Sequence, residues 1–150
     1  MKVFYLTLLL LLALVVILPF PANAAQNPRR GVECRVFSKL YTSWHSQTTP
    51  KIDHATIAQE LSTKLAMDIS TLNLADETLR KIQTKLVTDL QAVAGVFRNI
   101  REGELVGDPY VIDRHLPDLQ TLTANINSTT QELNKYCRGI WGYRAIPVDK

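Results

Sequence analysis

Residues 76–102 read DETLRKIQTKLVTDLQAVAGVFRNIRE, and this stretch decides the predicted fold. Its apolar residues recur at spacings of three and four, which places them on one face of a helix. They are Leu79, Ile82, Leu86, Leu90, Val93, Phe97 and Ile100. Ala92, Ala94 and Gly95 are small enough to let a second helix approach closely. A helix with one apolar face needs partners to cover that face, so the stretch predicts a helical bundle.

Two further helices are predicted before this stretch. The first spans residues 32–46, with an apolar face that steps by four through Val32, Val36, Leu40 and Trp44 and is widened by Phe37 and Tyr41. Pro50 cannot continue a helix and marks a turn. The second helix begins with Asp53 as its N-cap. A break near residues 73–75 separates it from the central helix, and the alternative is one unbroken helix over residues 53–102.

A loop and a fourth helix are predicted after the central stretch. The loop, residues 103–116, is longer than the roughly 2–8 residues usual between bundle helices, so its apolar middle is expected to fold over one end. The fourth helix is expected to begin near Pro117, a residue suited to a first turn. It is expected to end at Cys137, with Gly139 as its C-terminal cap.

Four consecutive helices are most simply arranged up-down-up-down. The predicted fold class is an all-α four-helix bundle over residues 25–137, followed by an aromatic and basic tail over residues 138–150. Cys34 lies in the first turn of the first helix and Cys137 in the last turn of the fourth. In this arrangement both cysteines lie at the same end and can form a disulfide bond. One long helix in place of the second and third would separate them.

The N-terminus has the order of a secretory signal peptide. Lys2 precedes an apolar run, and an Ala-x-Ala box predicts cleavage after Ala24. The competing interpretation is an uncleaved membrane anchor, because the run approaches the ~17 residues that can span a bilayer and is followed by Arg29 and Arg30. Export would place the chain in the periplasm or another extracytoplasmic lumen, where disulfides persist. Membrane contact is expected only through this N-terminal segment.

Charge and motifs exclude several classes of function. The chain has 17 basic and 14 acidic residues and a net charge of +3, too small and too evenly spread for nucleic-acid binding. Removing residues 1–24 lowers the net charge to +2, which argues against strong attraction to anionic lipid. The sequence contains no nucleophile elbow, metalloprotease motif or phosphate-binding loop, so we expect no enzymatic activity.

The tail is the candidate binding segment. Trp141, Tyr143 and Arg144 are residue types that carry much of the binding energy at protein interfaces. The alternative is that the tail folds back and covers the end of the bundle near the cysteines. The sequence thus predicts a non-enzymatic accessory protein that binds another protein or complex in the cell envelope.

A metal-binding bundle is the second hypothesis. His45, His54 and His115 are expected at the end of the bundle opposite the cysteines, where imidazoles could ligate zinc or copper. No two of them have the i, i+4 spacing that places two histidines on one helical face. Polar residues also collect at helix ends, so solvated or capping histidines are the alternative.

Overall fold

The computed structural model describes residues 28–45 and 54–148. Over these residues the chain is all-α, with four helices and no strand, as predicted. The helices are α1 (Pro28–His45), α2 (His54–Ser70), α3 (Glu77–Leu105) and α4 (Val111–Cys137). None of the four combines the length and the apolarity that crossing a bilayer requires. The predicted signal peptide, the turn at Pro50 and the cap at Asp53 lie outside the described residues.

The central helix α3 begins where the sequence predicts it. Asp76 is its N-cap, and its Oδ1 accepts a hydrogen bond from the Leu79 N–H at 3.0 Å. The predicted break between the second and third helices is therefore confirmed. The α3 residues that are buried are Leu79, Ile82, Leu86, Leu90, Ala94 and Ile100. This face has its largest contacts with α2 and α4, which cover the apolar stripe.

Gln83 closes the break between α2 and α3. Its side-chain amide donates to the carbonyl of Ile69 at 2.7 Å and to that of Leu72 at 2.9 Å. Ile69 is in the last turn of α2 and Leu72 lies two residues beyond its end, where backbone carbonyls have no partner from a following helical turn. A polar residue on α3 thus fixes the connection between α2 and α3 and, with it, the angle between the two helices.

The predicted long loop before the fourth helix is wrong. α4 begins at Val111, six residues before Pro117, so the connection comprises only residues 106–110. Two interactions explain the early start. The Asp108 Oδ1 accepts from the Tyr110 N–H at 3.0 Å, which shapes the turn into the helix. Val111 itself is buried, which stabilises the first turn. Pro117 lies inside α4, where it lacks the N–H that would bond the carbonyl of Asp113.

The close approach of two helices occurs at Gly103, and the prediction for Gly95 is wrong. A Cβ built at Gly103 would lie 2.8 Å from the Cβ of Val111, closer than real side chains pack. A Cβ at Gly95 meets nothing within 4 Å. Val111 also packs with Ala55 and Ile100 in a small apolar cluster, which joins the start of α2 to the α3–α4 hairpin.

α1 buries a different face from the predicted one. Phe37 is buried and Leu40 packs against the core, as predicted. Val32 and Val36 are 52% and 37% exposed, however, and Glu33, Cys34 and Ser38 are buried in their place. The cause is polar as well as apolar. The Glu33 carboxylate accepts from the N–H groups of Ala75 and Asp76, at 2.9 and 3.1 Å, and so binds the free amides at the start of α3. This contact turns the two valines toward solvent.

The two cysteines lie at disulfide distance. The Cα atoms of Cys34 and Cys137 are 5.8 Å apart, and both side chains are fully buried. The first turns of α1 and the last turn of α4 therefore meet at one end of the molecule, as the sequence predicts.

Candidate functional site

The tail folds back over the end of the molecule that holds the cysteines. Its described part, residues 138–148, has no helix or strand, but Ile140 and Ile146 are both buried in the main core. Gly139 and Gly142 have φ angles of +81° and +76°, in the left-handed region that glycine adopts without strain. The predicted cap at Gly139 follows from this conformation. The two apolar anchors hold the intervening segment against the helices.

Side chains of α1 bind the backbone of the tail. Arg35 Nη1 donates to the carbonyl of Trp141 at 3.1 Å. Ser38 Oγ donates to the carbonyl of Arg144 at 2.8 Å and accepts from the Arg144 N–H at 3.2 Å. The tail is therefore held at both of these residues through its backbone, which leaves their side chains free to face outward.

Asn134 of α4 holds the second half of the tail. Its Nδ2 donates to the carbonyl of Ile146 at 2.8 Å, and its Oδ1 accepts from the Ile146 N–H at 2.8 Å. The same oxygen accepts from the Tyr143 hydroxyl at 2.6 Å. Burial raises the pKa of Tyr143 to about 12. The Tyr143 hydroxyl is therefore engaged inside the protein.

Trp141 is the exposed apolar residue of this segment. Its side chain is 89% exposed, although the neighbouring Ile140 is buried. Arg144 is exposed as well. Of the three predicted binding residues, Trp141 and Arg144 thus face solvent, and Tyr143 faces inward with its hydroxyl on Asn134.

The outward face of α1 extends this exposed region. Val32, Arg35, Val36 and Lys39 recur at spacings of three and four, so they share one face of the helix. Arg35 contacts the tail, since a Cβ at Gly142 would lie 3.1 Å from its Cδ. We use the term tail surface for this region, which comprises Val32, Arg35, Val36, Lys39, Trp141 and Arg144.

A groove lies on the opposite flank of the tail, against α4. Its volume is about 570 Å³, and its lining includes Lys135, Arg138 and Tyr143. Segments 28–39 and 132–148 together carry seven Lys or Arg residues and two Glu residues. One of those two, Glu33, is buried at the start of α3. The region around the tail is therefore positively charged.

The predicted metal site is not assembled by the side chains that the structure describes. The side chains of His45 and His54 lie outside the described set. His115 is partly buried beside Asp118, with 3.8 Å between Nδ1 and Oδ2. No group of three His, Cys, Asp or Glu side chains able to hold a metal occurs among the described residues. Zinc or copper binding by the three histidines therefore stays a prediction.

A second exposed apolar region lies where α3 turns into α4. We use the term hairpin tip for its five large apolar side chains, which are between 45% and 82% exposed: Leu105, Val106, Tyr110, Ile112 and Leu116. Of the two apolar residues in the middle of the predicted loop, Val111 packs against Ala55 and Ile100, whereas Ile112 is exposed. The pKa of Asp108 is lowered from its ordinary value, mainly by the hydrogen bond from the Tyr110 amide and next by the hydrogen bond from the Arg114 side chain.

Comparison with protein family models, curated proteins and solved structures finds no match to this chain. The candidate function is therefore inferred from the chemistry and geometry of the tail surface alone.

Sequence reasoning missed Val32 and Val36 as surface residues. Their spacing of four resembles that of a core stripe, and no local signal distinguishes the two cases. The only local hint that a different face is buried is the polar pair Glu33, directly after Val32, and Ser38, two residues after Val36. Their burial depends on partners far along the chain, Ala75 and Arg144.

Proposed function

We propose that this chain is an exported, non-enzymatic accessory protein that binds another protein or complex in the cell envelope through the tail surface. The observation that carries the proposal is Trp141, whose side chain is 89% exposed on a backbone held by Arg35. A tryptophan ring brings a large apolar area to an interface. Because the backbone beneath it is already fixed, binding orders little more of the chain and loses less conformational entropy.

The charge of the tail surface indicates the chemistry of the partner. Arg35, Lys39 and Arg144 belong to the tail surface together with the exposed apolar side chains, and Lys135 and Arg138 line the groove against α4. An apolar patch surrounded by cations is complementary to an apolar patch surrounded by carboxylates. The proposed partner therefore presents an acidic surface with an apolar centre.

The proposed arrangement of the helices is up-down-up-down. Contacts at both ends support it. At the end with the cysteines, the Tyr136 hydroxyl donates to Asp76 Oδ2 at 2.7 Å, which joins the end of α4 to the start of α3. At the other end, Ala55 at the start of α2 packs with Ile100 near the end of α3. Each adjacent pair then runs in opposite directions.

The proposed location is the periplasm or another extracytoplasmic lumen, reached by a signal peptide over residues 1–24. Two features support export. The N-terminal sequence has the order of a signal peptide with a cleavage box ending at Ala24. Cys34 and Cys137 lie at disulfide distance, which is compatible with an oxidising compartment. N-terminal sequencing of the protein from the envelope separates cleavage after Ala24 from retention as an anchor.

Cross-linking in the native envelope followed by affinity capture tests the proposed function. The wild-type protein is compared with Trp141→Ala and with Met67→Ala. Met67 is a matched control because it is a large apolar residue, 59% exposed, on α2 and outside the tail surface.

The proposal predicts one stoichiometric partner captured by the wild type and by Met67→Ala and lost with Trp141→Ala. Capture of the same partner in equal amount by Trp141→Ala would move the interface away from the tail. Capture of no partner by the wild type would contradict the proposal.

A further inference from the structure

The hairpin tip is a second exposed apolar region, separate from the tail surface. Val106 is 82% exposed and Leu105 is 77% exposed, and Tyr110 follows in the same turn. Ile112 and Leu116 are four residues apart and so share a face of α4. Large contiguous apolar patches on a protein surface mark sites that bind something.

The charges around the hairpin tip are opposite to those of the tail surface. Segment 101–118 carries five Asp or Glu residues and two Arg residues. The segment that carries the tip therefore has a net charge of −3, with Asp108 paired to Arg114, whereas the segments that carry the tail surface are net positive. The hairpin tip and the tail surface are therefore complementary, because both expose apolar side chains and their charges are opposite.

The two surfaces lie at opposite ends of the molecule and cannot meet within one chain. Glu33 binds the start of α3, so the tail surface lies beside that end. The hairpin tip begins at Leu105, the last residue of α3. A helix of 29 residues is about 44 Å long at 1.5 Å per residue. Contact between the surfaces requires two molecules.

We propose that the hairpin tip of one molecule binds the tail surface of a second copy of this chain, head to tail. The inference rests on the proposed function, since it takes the tail surface as a binding face, and it adds the acidic hairpin tip of a second copy as an occupant of that face. Such a contact uses different surfaces on the two molecules. It therefore leaves one of each surface free and extends to rings or filaments.

A lipid surface fits the hairpin tip less well. Segment 101–118 has a net charge of −3, even with Asp108 paired to Arg114, and the negative potential of an anionic membrane repels it. Binding of the tip to lipid is kept as an outcome of the test.

Sedimentation of the purified protein tests the head-to-tail contact. The full chain is expressed in an exporting host and purified in the form that the host produces. The wild type is measured over a wide range of concentration beside a tip variant, Val106→Ser with Tyr110→Ser, and a tail variant, Trp141→Ala. All three substituted side chains are exposed, and circular dichroism checks that the variants keep their helices. Met67→Ala is the control.

The wild type and Met67→Ala are expected to form species larger than dimers as concentration rises, and salt is expected to weaken this association. Each of the other variants alone is expected to associate at least ~10-fold more weakly, as for residues at the centre of an interface. A mixture of the tip and tail variants retains one intact tip and one intact tail surface between two molecules. It is therefore expected to form dimers and nothing larger.

A wild type that stays monomeric at every concentration would overturn the inference, as would a mixture that forms no dimer. Sedimentation of the monomer with anionic vesicles, lost in the tip variant, would assign the tip to lipid and also overturn it. A monomeric pure protein leaves the proposed function intact, provided that envelope capture still depends on Trp141. Failure of the inference and failure of the proposed function are thus distinguishable.

Discussion

Glu33 shows how a single buried side chain determines which face of α1 the protein presents to solvent. Its carboxylate binds two amides at the start of α3, and its own side chain is 8% exposed. Amides at a helix N-terminus carry partial positive charge, which favours a carboxylate there. The contact affects the proposed binding surface indirectly, because it orients α1 so that Val32 and Val36 are exposed beside the tail.

Replacing Glu33 with alanine is expected to lower the free energy of unfolding by about 1–2 kcal/mol, since it leaves two partly buried amides at the start of α3 without their acceptor. Urea unfolding followed by circular dichroism measures the change. Glu60→Ala, on the exposed face of α2, is the matched control and is expected to change stability little. Equal effects of the two substitutions would contradict the role of Glu33.

The partly buried Tyr143 is expected to lower the free energy of unfolding at alkaline pH. Its pKa is raised by burial from an ordinary value of 10.0 to about 12, so the unfolded chain releases this proton at lower pH than the folded one. The stabilising contribution is complete below about pH 10 and is lost as pH rises to about 12. Burial, with Asp76 second, also raises the pKa of Tyr136 and acts in the same direction.

The free energy of unfolding, measured against pH, is expected to fall less steeply in this range for Tyr143→Phe than for the wild type. Tyr110→Phe, which alters an exposed tyrosine, is expected to follow the wild type. An unchanged alkaline slope in Tyr143→Phe would contradict the assignment.

The residues of the candidate site could be predicted by type but not by orientation. Trp141 and Arg144 are exposed in a short segment whose composition already indicated binding. Tyr143 belongs to the same segment, yet its hydroxyl binds Asn134, a residue nine positions earlier that only the folded chain brings near. Residue spacing along the sequence cannot predict such a contact.

The α3–α4 hairpin shows which element boundaries the sequence specifies. The start of α3 was predictable because an N-cap is a local signal, and Asp76 makes its bond to an amide three residues later. The start of α4 was not, because it depends on burial of Val111 against Ala55, more than fifty residues earlier. A proline suited to a first turn is a weaker constraint than a buried contact of this kind.

Alanine substitution at two glycines of α3 tests the hairpin packing. Gly103→Ala is expected to destabilise the protein by about 1–3 kcal/mol, because the added methyl group overlaps Val111. Gly95→Ala is expected to stabilise it by up to ~1 kcal/mol, since the new Cβ meets nothing and alanine favours helix.

Thermal or urea unfolding of both variants measures the difference. Val111→Ala in the Gly103→Ala background is expected to cost less than Val111→Ala alone, because the two changes share one contact. Stabilisation by both glycine substitutions would show that the hairpin is not closely packed at Gly103.

At the scale of the whole molecule, one end connects the first and last helices. α1 has few contacts with α2. Its attachment depends on Phe37 in the core, on the Glu33 contact with the start of α3, on the pair Cys34 and Cys137, and on the bonds to the tail. This was partly predictable, since an up-down arrangement of four helices brings the two cysteines together. The bonds from Arg35 and Ser38 to the tail were not, because nothing in their sequence context indicates a partner 106 residues away.

Reduction of a Cys34–Cys137 bond is expected to lower the free energy of unfolding by about 4–5 kcal/mol, because the pair closes a loop of 103 residues. Urea unfolding with and without reductant measures the loss. A variant with Cys34→Ala and Cys137→Ala is expected to be insensitive to reductant. Two free thiols in the native protein from the envelope would contradict the bond and weaken the case for export.

Photo-cross-linking from position 141 in the intact envelope tests most directly that the tail surface is a binding surface. A photoreactive amino acid replaces Trp141 in one variant and Met67 in the other, both large and exposed side chains. We expect one dominant cross-linked product from position 141 and none from position 67. A product with twice the mass of the protein would identify a second copy as the partner. No product from position 141, or the same products from both positions, would contradict the proposed binding surface.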